Sequence, residues 1–176
     1  TANGQKPDAL LLTRERYTSH EKLSQGAVIL DGSENASVQY AQCCRPVPGD
    51  SIVGYLGRGE GLVVHTSGCA VAARLKHRDS ERFIAVDWAD EPVRQFDTGL
   101  VVTVTNRKGV LARVAADLAQ SEVDITKVDM GEEDQHDTTD LRFVISVRDA
   151  AHLDAALRNL KRTSSVLRAQ RITPHA

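Results

Sequence analysis

Aromatic residues are scarce: one Trp, three Tyr and three Phe make up 4% of the 176 residues. Cores must therefore be built from Val, Leu, Ile and Ala, and a stacking surface for unpaired bases has few rings to draw on. Long apolar runs are missing as well. None approaches the roughly 20 residues that span a bilayer, and no charged-then-apolar leader opens the chain. These absences lead to the expectation of a cytoplasmic protein with no membrane partner. Charge of one sign is also lacking, since 22 Lys and Arg stand against 24 Asp and Glu, a formal net charge of −2. A global polycation is excluded, so any nucleic-acid contact has to be local. Residues 37–86 carry six basic against four acidic residues, and residues 87–176 carry twelve against fifteen. The first of these stretches is the one suited to phosphates, although a solvated surface explains so small an asymmetry equally well.

Cysteine is rare but concentrated. Cys43, Cys44 and Cys69 all fall within Ala41–Cys69, with His65 in the sequence H-T-S-G-C that ends the stretch. Between the two clusters, Ile52–Leu56 and Leu62–His65 read as strands and Gly57–Gly61 as the turn of a β-hairpin. A Cys3His set is a complete tetrahedral zinc shell with no open position, which points to a structural metal. Vicinal cysteines need a bent backbone to share one metal, and Arg45-Pro46-Val47-Pro48-Gly49 can supply the bend. Other readings stand beside this one. The cysteines also suit small buried core positions, with His65 an ordinary strand residue. A disulfide leaves one thiol unpaired, and nothing indicates an oxidising compartment. A Cys–His nucleophile pair needs a third group to orient its base, and no feature supplies one. The glycines of the turn join strand to strand, whereas a phosphate cradle needs a strand followed by a helix N-terminus.

Along the chain, residues 1–26 read as a polar, partly disordered linker. Residues 27–92 form a small β-rich module with strands near Gly26–Gly32, Val38–Tyr40 and Phe83–Trp88, a short helix Ala70–Leu75 and a charged turn His77–Arg82. A unit of about 60 residues has a marginal core, which a metal often supplements. Residues 93–176 are more regular. A strand Leu100–Thr105 meets the turn Asn106–Gly109, and Val110, Leu111, Val114 and Leu118 then recur at helical spacing. Ile125–Met130 reads as a strand whose apolar positions shift register, which signals a bulge. A polar loop over Glu132–Asp137 leads to Leu141, Phe143, Ile145 and Val147, which alternate strictly. Asp149 can cap a helix with a Leu153/Leu157/Leu160 stripe, and Val166–Ile172 is a last strand. The order β-α-β-β-α-β gives an α+β chain whose second half is ferredoxin-like, with two helices on one face of a four-stranded antiparallel sheet. Phe143 lies on the apolar stripe and so reads as core rather than as an RNA-stacking ring.

Two segments resemble a known family. CCRPVPGDSIVGYLGRGEGLVVH followed by C is similar to the cysteine-rich, zinc-finger-like (RIS) segment of long RelA/SpoT proteins, the synthetases and hydrolases of the alarmone (p)ppGpp. Ala70-Val71-Ala72 departs from the Pro-Asn that often follows there. The strand–Asn-Arg-x-Gly-Val-Leu–helix junction resembles the ACT domain, an amino-acid-binding regulatory module found in the same proteins. The resemblance covers about residues 27–173 and implies a zinc-finger-like module followed by an ACT domain. It places Cys43, Cys44, His65 and Cys69 on the family's metal positions, with structural zinc as the cofactor. It further implies a homodimer, contact with ribosomal RNA and tRNA, and an intramolecular contact with a catalytic half. No clustered His–Asp motif for hydrolysis is present; the histidines are scattered at His20, His65, His77, His136, His152 and His175. The implied fragment is therefore regulatory and non-catalytic. A free-standing amino-acid sensor with a structural metal module is the alternative.

Residue chemistry extends these expectations. Arg45, Arg58, Arg74, Lys76 and Arg78 are the candidates for RNA phosphates. For a small, branched-chain amino acid, the carboxylate would meet the amides of Gly109 and Val110 at a helix N-terminus. Asn106 would take the amino group, and Leu111 and Ile125 would face the side chain. Asn106 as a helix cap and Gly109 as a tight turn account for the same residues without a ligand. Val101, Val128 and Val144 are expected opposite the main apolar stripes, available to a partner.

Overall fold

A computed structural model describes residues 27–35, 37–131 and 136–172. The expected linker over 1–26 and most of the 132–137 loop lie outside the described residues. The chain divides into two compact units that meet between Arg94 and Gln95, residues 47–49 counting with the second.

The first unit is built on the expected hairpin. β3 (Ile52–Leu56) and β4 (Leu62–Thr66) pair antiparallel, with Val53 opposite His65 and Tyr55 opposite Val63. Because side chains alternate across a strand, these four residues share one face, while Ile52, Gly54, Leu56, Leu62 and Val64 share the other. The second set packs with β1 (Val28–Leu30) and β6 (Val86–Trp88), a parallel pair, into a core that includes Leu30 and Val38. β2 (Val38–Tyr40) pairs in parallel with β4, and β5 (Phe83–Ile84) pairs with β3, giving the order β2-β4-β3-β5. The single strand expected over Phe83–Trp88 is thus two, split at Ala85, whose carbonyl accepts the Val28 amide. Gly61, at φ +82°, runs so close to the backbone of Ser37 that an added Cβ would stand 2.3 Å from its carbonyl oxygen. Gly61 is thereby fixed as glycine, and the Leu62 amide is free to bond Ser37 at 2.8 Å. α1 (Ala70–Arg78) runs one turn beyond the expected helix, into the segment read as a charged turn. Trp88 stacks on Tyr40 at 5.7 Å, and the Arg94 guanidinium lies over the Tyr40 ring at 4.9 Å from its centroid. Burial and then the Glu34 carboxylate, which accepts the Tyr40 hydroxyl at 3.0 Å, push that phenol far above its ordinary pKa.

The second unit has the expected β-α-β-β-α-β order: β7 (Phe96–Thr105), α2 (Val110–Gln120), β8 (Asp124–Met130), β9 (Thr138–Val147), α3 (Ala150–Lys161) and β10 (Val166–Arg171). The sheet order is β10-β7-β9-β8, antiparallel throughout. Leu100, Val102, Val104, Leu141, Phe143 and Ile145 fill its core together with Val114 and Leu118 of α2 and Leu153 and Leu160 of α3. Asp149 caps α3 by accepting the His152 amide at 2.8 Å. The bulge in β8 falls between Ile125 and Lys127. It returns Val128 to the side of its partner Phe143, so Val128 stands with the core stripe and not opposite it, although it is 41% exposed at the sheet edge. Val101 and Val144 do stand opposite the stripe, half-buried among polar neighbours such as Asp129 and Arg142.

Candidate metal centre

Parallel pairing of β2 with β4 is what assembles the cysteine cluster. Tyr40 stands opposite Val64, so the turn that follows β2 and the end of β4 reach the same place. The Ala41 amide bonds the Val64 carbonyl at 2.9 Å, and the turn closes with the Arg45 amide on the Ala41 carbonyl. Arg45 adopts φ +46°, the left-handed bend that lets adjacent cysteines face one point. His65 comes from the α1-facing side of the hairpin. A turn from Thr66 then delivers Cys69 as the residue that caps the N-terminus of α1.

The four ligand atoms lie within 4.8 Å of one another. Cys43 Sγ is 4.0 Å from Cys44 Sγ, 3.6 Å from Cys69 Sγ and 3.4 Å from His65 Nδ1, and Cys44 Sγ is 3.8 Å from that nitrogen. A tetrahedron with Zn–S near 2.3 Å and Zn–N near 2.0–2.1 Å has edges of about 3.8 Å between sulfurs and about 3.6 Å from sulfur to nitrogen. The four separations given are close to those edges and all four donors lie within 4.8 Å, so the set could hold one metal ion. The Thr66 amide points at Cys44 Sγ at 3.3 Å, a hydrogen bond that orients a thiolate ligand.

Electrostatics agree with the geometry. Burial, the hydrogen bond with Cys69 and the charge of Cys44 push the Cys43 thiol up to about 12. Burial likewise raises Cys44. Burial raises Cys69 too, but the Ala72 amide, the Cys43 thiol and the Val71 amide outweigh it and hold Cys69 below the ordinary thiol range. Burial lowers His65, which keeps its ring neutral and able to coordinate. Without a cation, three crowded thiols cannot all ionise; a divalent metal would supply the missing positive charge.

An open cleft of about 640 Å³ adjoins the cluster, lined by Arg58, Val63, His65, Leu75 and Arg78. Arg58 from the hairpin turn and Arg78 from the end of α1 converge there on Asp79, at 3.9 and 3.8 Å, and Asp79 also accepts the Tyr55 hydroxyl. The remaining expected cations are dispersed. Arg74 stands about 40° from Arg78 around α1, whereas Lys76 stands about 160° away and does not share that face. Arg45 sits in the cysteine turn. Asp79, which joins the two arginines, was not singled out from the sequence; its position next to Arg78 is the signal that was there.

At the ACT-like junction, Gly109 is the N-cap of α2 in the left-handed region at φ +80°, and nothing lies within 4 Å of where a Cβ would be. The backbone is open to close approach. Asn106 does not cap the helix: its side-chain amide donates to the His136 carbonyl at 3.1 Å, tying the turn to the segment before β9. The Val110 amide is engaged by the Arg107 carbonyl at 3.2 Å, and its side chain is buried. Leu111 is half-buried on α2. Ile125 is not brought to this turn. It pairs with Ile145, whereas the turn follows the Thr105–Thr138 pair, seven residues away along β9 and so about 23 Å distant.

Sequence reasoning also missed a polar network between α2 and α3. Asp117 accepts the Thr163 hydroxyl, Asn159 bonds the Asp117 carbonyl and the Ser121 hydroxyl, and His152 Nε2 meets the Ser121 carbonyl at 2.7 Å. Single polar residues inside apolar stripes gave no pattern to detect.

Comparison with known proteins gives the family. The family model of the RelA/SpoT RIS domain matches residues 28–89, and that of an ACT domain matches residues 92–171. A GTP pyrophosphokinase of Photobacterium angustum is 27% identical over 160 residues, 91% of this chain and 22% of that protein. The bifunctional (p)ppGpp synthase/hydrolase SpoT of Escherichia coli K12 is 30% identical over 149 residues, 84% of this chain and 21% of that protein. Among solved structures, the ACT domain from a Chlorobium tepidum GTP pyrophosphokinase aligns over 44% of this chain and 99% of its own, with a TM-score of 0.39 and 13% identity. The chain spans about a fifth of the length of the curated relatives it matches. The chain belongs to the RelA/SpoT family, of which it carries the RIS domain followed by an ACT domain.

Proposed function

We propose that the chain is the non-catalytic C-terminal regulatory region of a (p)ppGpp synthetase/hydrolase, with one structural zinc in its first unit. It would couple ribosome and tRNA contact, self-association or amino-acid binding to a catalytic half. The observation that carries this reading is the closed Cys43/Cys44/His65/Cys69 donor set, inside a RIS domain and ahead of an ACT domain. A shell of four protein ligands leaves no position for substrate, so the metal holds the module together and does no chemistry of its own.

The RNA contact is assigned to Arg58 and Arg78, which line the cleft, with Arg74 about 40° from Arg78 around α1. Phosphate neutralisation releases counterions, so binding of the chain to ribosomal RNA weakens as salt rises. The double change Arg58→Glu, Arg78→Glu should reduce the slope of log K against log salt by about 1.4 if both contacts are to single-stranded phosphates. It should weaken binding at least tenfold at low salt. An unchanged affinity and slope would remove this surface. Measurable alarmone synthesis or hydrolysis by the chain would remove the non-catalytic reading.

In the second unit, the open backbone at Gly109 supports a small ligand, with its carboxylate at the Gly109 amide and its amino group at the Asn106 side-chain oxygen. A branched-chain amino acid there would lie against Leu111 at a subunit interface. β8 and β10 are the two sheet edges, and the edge residues Val128 and Met130 expose apolar surface for a second copy. Asn106→Ala should weaken ligand binding by about 0.5–1.5 kcal/mol for the one hydrogen bond lost at this exposed side chain, and by about 1–3 kcal/mol if the interface leaves the ligand's amino group buried and unpaired. Calorimetry with valine, leucine and isoleucine, beside sedimentation of the same sample, is the check. No heat with any of the three ends the ligand assignment, and a strict monomer at tens of micromolar ends the pairing.

A further inference from the structure

Three of the four donors in the cluster are shielded and one is not. Cys44 is 4% exposed, Cys69 0% and His65 4%, whereas Cys43 is exposed. A small oxidant reaching this site from solvent therefore meets Cys43 first. Two other thiols stand within reach of its sulfur, Cys69 at 3.6 Å and Cys44 at 4.0 Å. Cys44 is the poorer partner. Its sulfur is held by the Thr66 amide at 3.3 Å. Adjacent Cα atoms across a trans peptide also stand only ~3.8 Å apart, below the ~4.4–6.8 Å that a disulfide ordinarily spans, and no peptide bond here is cis. The Ala72 and Val71 amides act on the Cys69 sulfur in the same way, but Cys69 is 26 residues away in sequence and so is free of the second restriction.

We propose that Cys43 is a two-electron oxidation site with Cys69 as its resolving partner, at which hydrogen peroxide writes a disulfide into the cluster. The Cys43 sulfur attacks one peroxide oxygen and the O–O bond breaks, giving a sulfenic acid and water. The Cys69 sulfur then attacks the Cys43 sulfur, forming the S–S bond and expelling the hydroxyl as a second water. Two sulfurs together lose two electrons, and the peroxide is reduced to two waters. Starting from thiols, the two protons come from the cysteines; starting from metal-bound thiolates, they come from solvent. In the second case two anionic donors would become neutral sulfurs, leaving a bound metal only Cys44 and His65. Release of the metal is the one consequence that rests on the zinc reading above; the Cys43–Cys69 bond rests on exposure and distance alone.

The test uses the full, unmutated chain reconstituted with zinc and treated with hydrogen peroxide at one to a few equivalents. Mass spectrometry, with fragmentation between Cys43 and Cys44, locates the linked pair, and a metallochromic dye counts free zinc. The expected result is a Cys43–Cys69 link, one zinc released per link, and reversal of both by a dithiol with added zinc. In Cys69→Ser the resolving thiol is gone, so a sulfenic acid at Cys43 should be trapped by a dione reagent. A Cys43–Cys44 or Cys44–Cys69 bond in the unmutated chain overturns the proposal, as does sulfinic or sulfonic acid at Cys43 without any link. If the Cys43–Cys69 link forms in a chain that binds no zinc under any condition, the pairing stands and the metal reading falls.

Discussion

Stripping zinc from the loaded chain should unfold residues 27–88 and leave the second unit folded. The first unit has little else to hold it. A domain of about 60 residues buries too small a fraction of its surface to be secure on its core alone. Here the ligands are themselves part of the core: Cys44 and Cys69 pack with Ala41 and Ala72 against Val53, Val63, Val71 and Phe83. Removing the metal leaves a set of thiols and an imidazole at the centre of that cluster, with nothing to balance more than one thiolate. Structural zinc contributes an apparent ~10–16 kcal/mol in small zinc modules, as much as the ~5–15 kcal/mol that stabilises a typical domain. The expected record in calorimetry is two transitions, the one belonging to residues 27–88 vanishing on chelation. The other should stay in place, because the second unit's core draws on none of the ligands. Coincident loss of both transitions would refute the independence of the units. Freshly reduced protein without metal, with both transitions intact, would refute the zinc.

How the cluster assembles was only partly legible in the sequence. The donor set could be named because rare residue types fell in one stretch, and the hairpin could be named because Ile52–Leu56 and Leu62–His65 flank a run of turn glycines. Closing the hairpin, with Ile52 opposite Thr66, is only part of what brings the cysteines together. β2 adds the rest by pairing in parallel with β4, a contact between Val38–Tyr40 and Leu62–Val64. A strand of three residues shows no period, and a pairing across more than twenty residues leaves no local mark. The extension of α1 to Arg78 was hidden by its charged residues, since this helix is solvated over its last turn and buries only Ala72 fully.

The second unit was easier to read for the opposite reason. Its strands and helices are long enough for their periods to repeat, so the order, the Asp149 cap and the β8 bulge could all be inferred from the residues. What failed was the consequence of the bulge. One extra residue between Ile125 and Lys127 flips the faces beyond it, so Ile125 and Val128 both lie on the core side despite their odd spacing. The same topology separates Ile125 from the Asn106 turn. β8 leaves α2 at the far end of the sheet and approaches the turn only at Met130, which pairs with Leu141.

Phe143→Ala should lower the stability of the second unit by about 3–5 kcal/mol. Phe143 is 1% exposed on β9, an inner strand, with Leu100 opposite on one side and Val128 on the other. Deleting the ring leaves a cavity that β7, β9 and the packed helices cannot collapse to fill, because the neighbouring positions are themselves in register-locked strands. For a domain of this size each kcal/mol is about 4–8 °C, so the second unit's transition should fall by about 12 °C or more. The transition of the first unit should not move. The experiment also decides a functional alternative. Folds of this topology can present sheet aromatics as platforms on which RNA bases stack, and Phe143 is the one ring on β8, β9 or β10. A platform ring is exposed, and its removal would cut RNA affinity while changing stability by no more than about 0.5 kcal/mol. A large loss of stability, with RNA binding per folded molecule unchanged, places Phe143 in the core and leaves RNA contact to the arginines of the first unit.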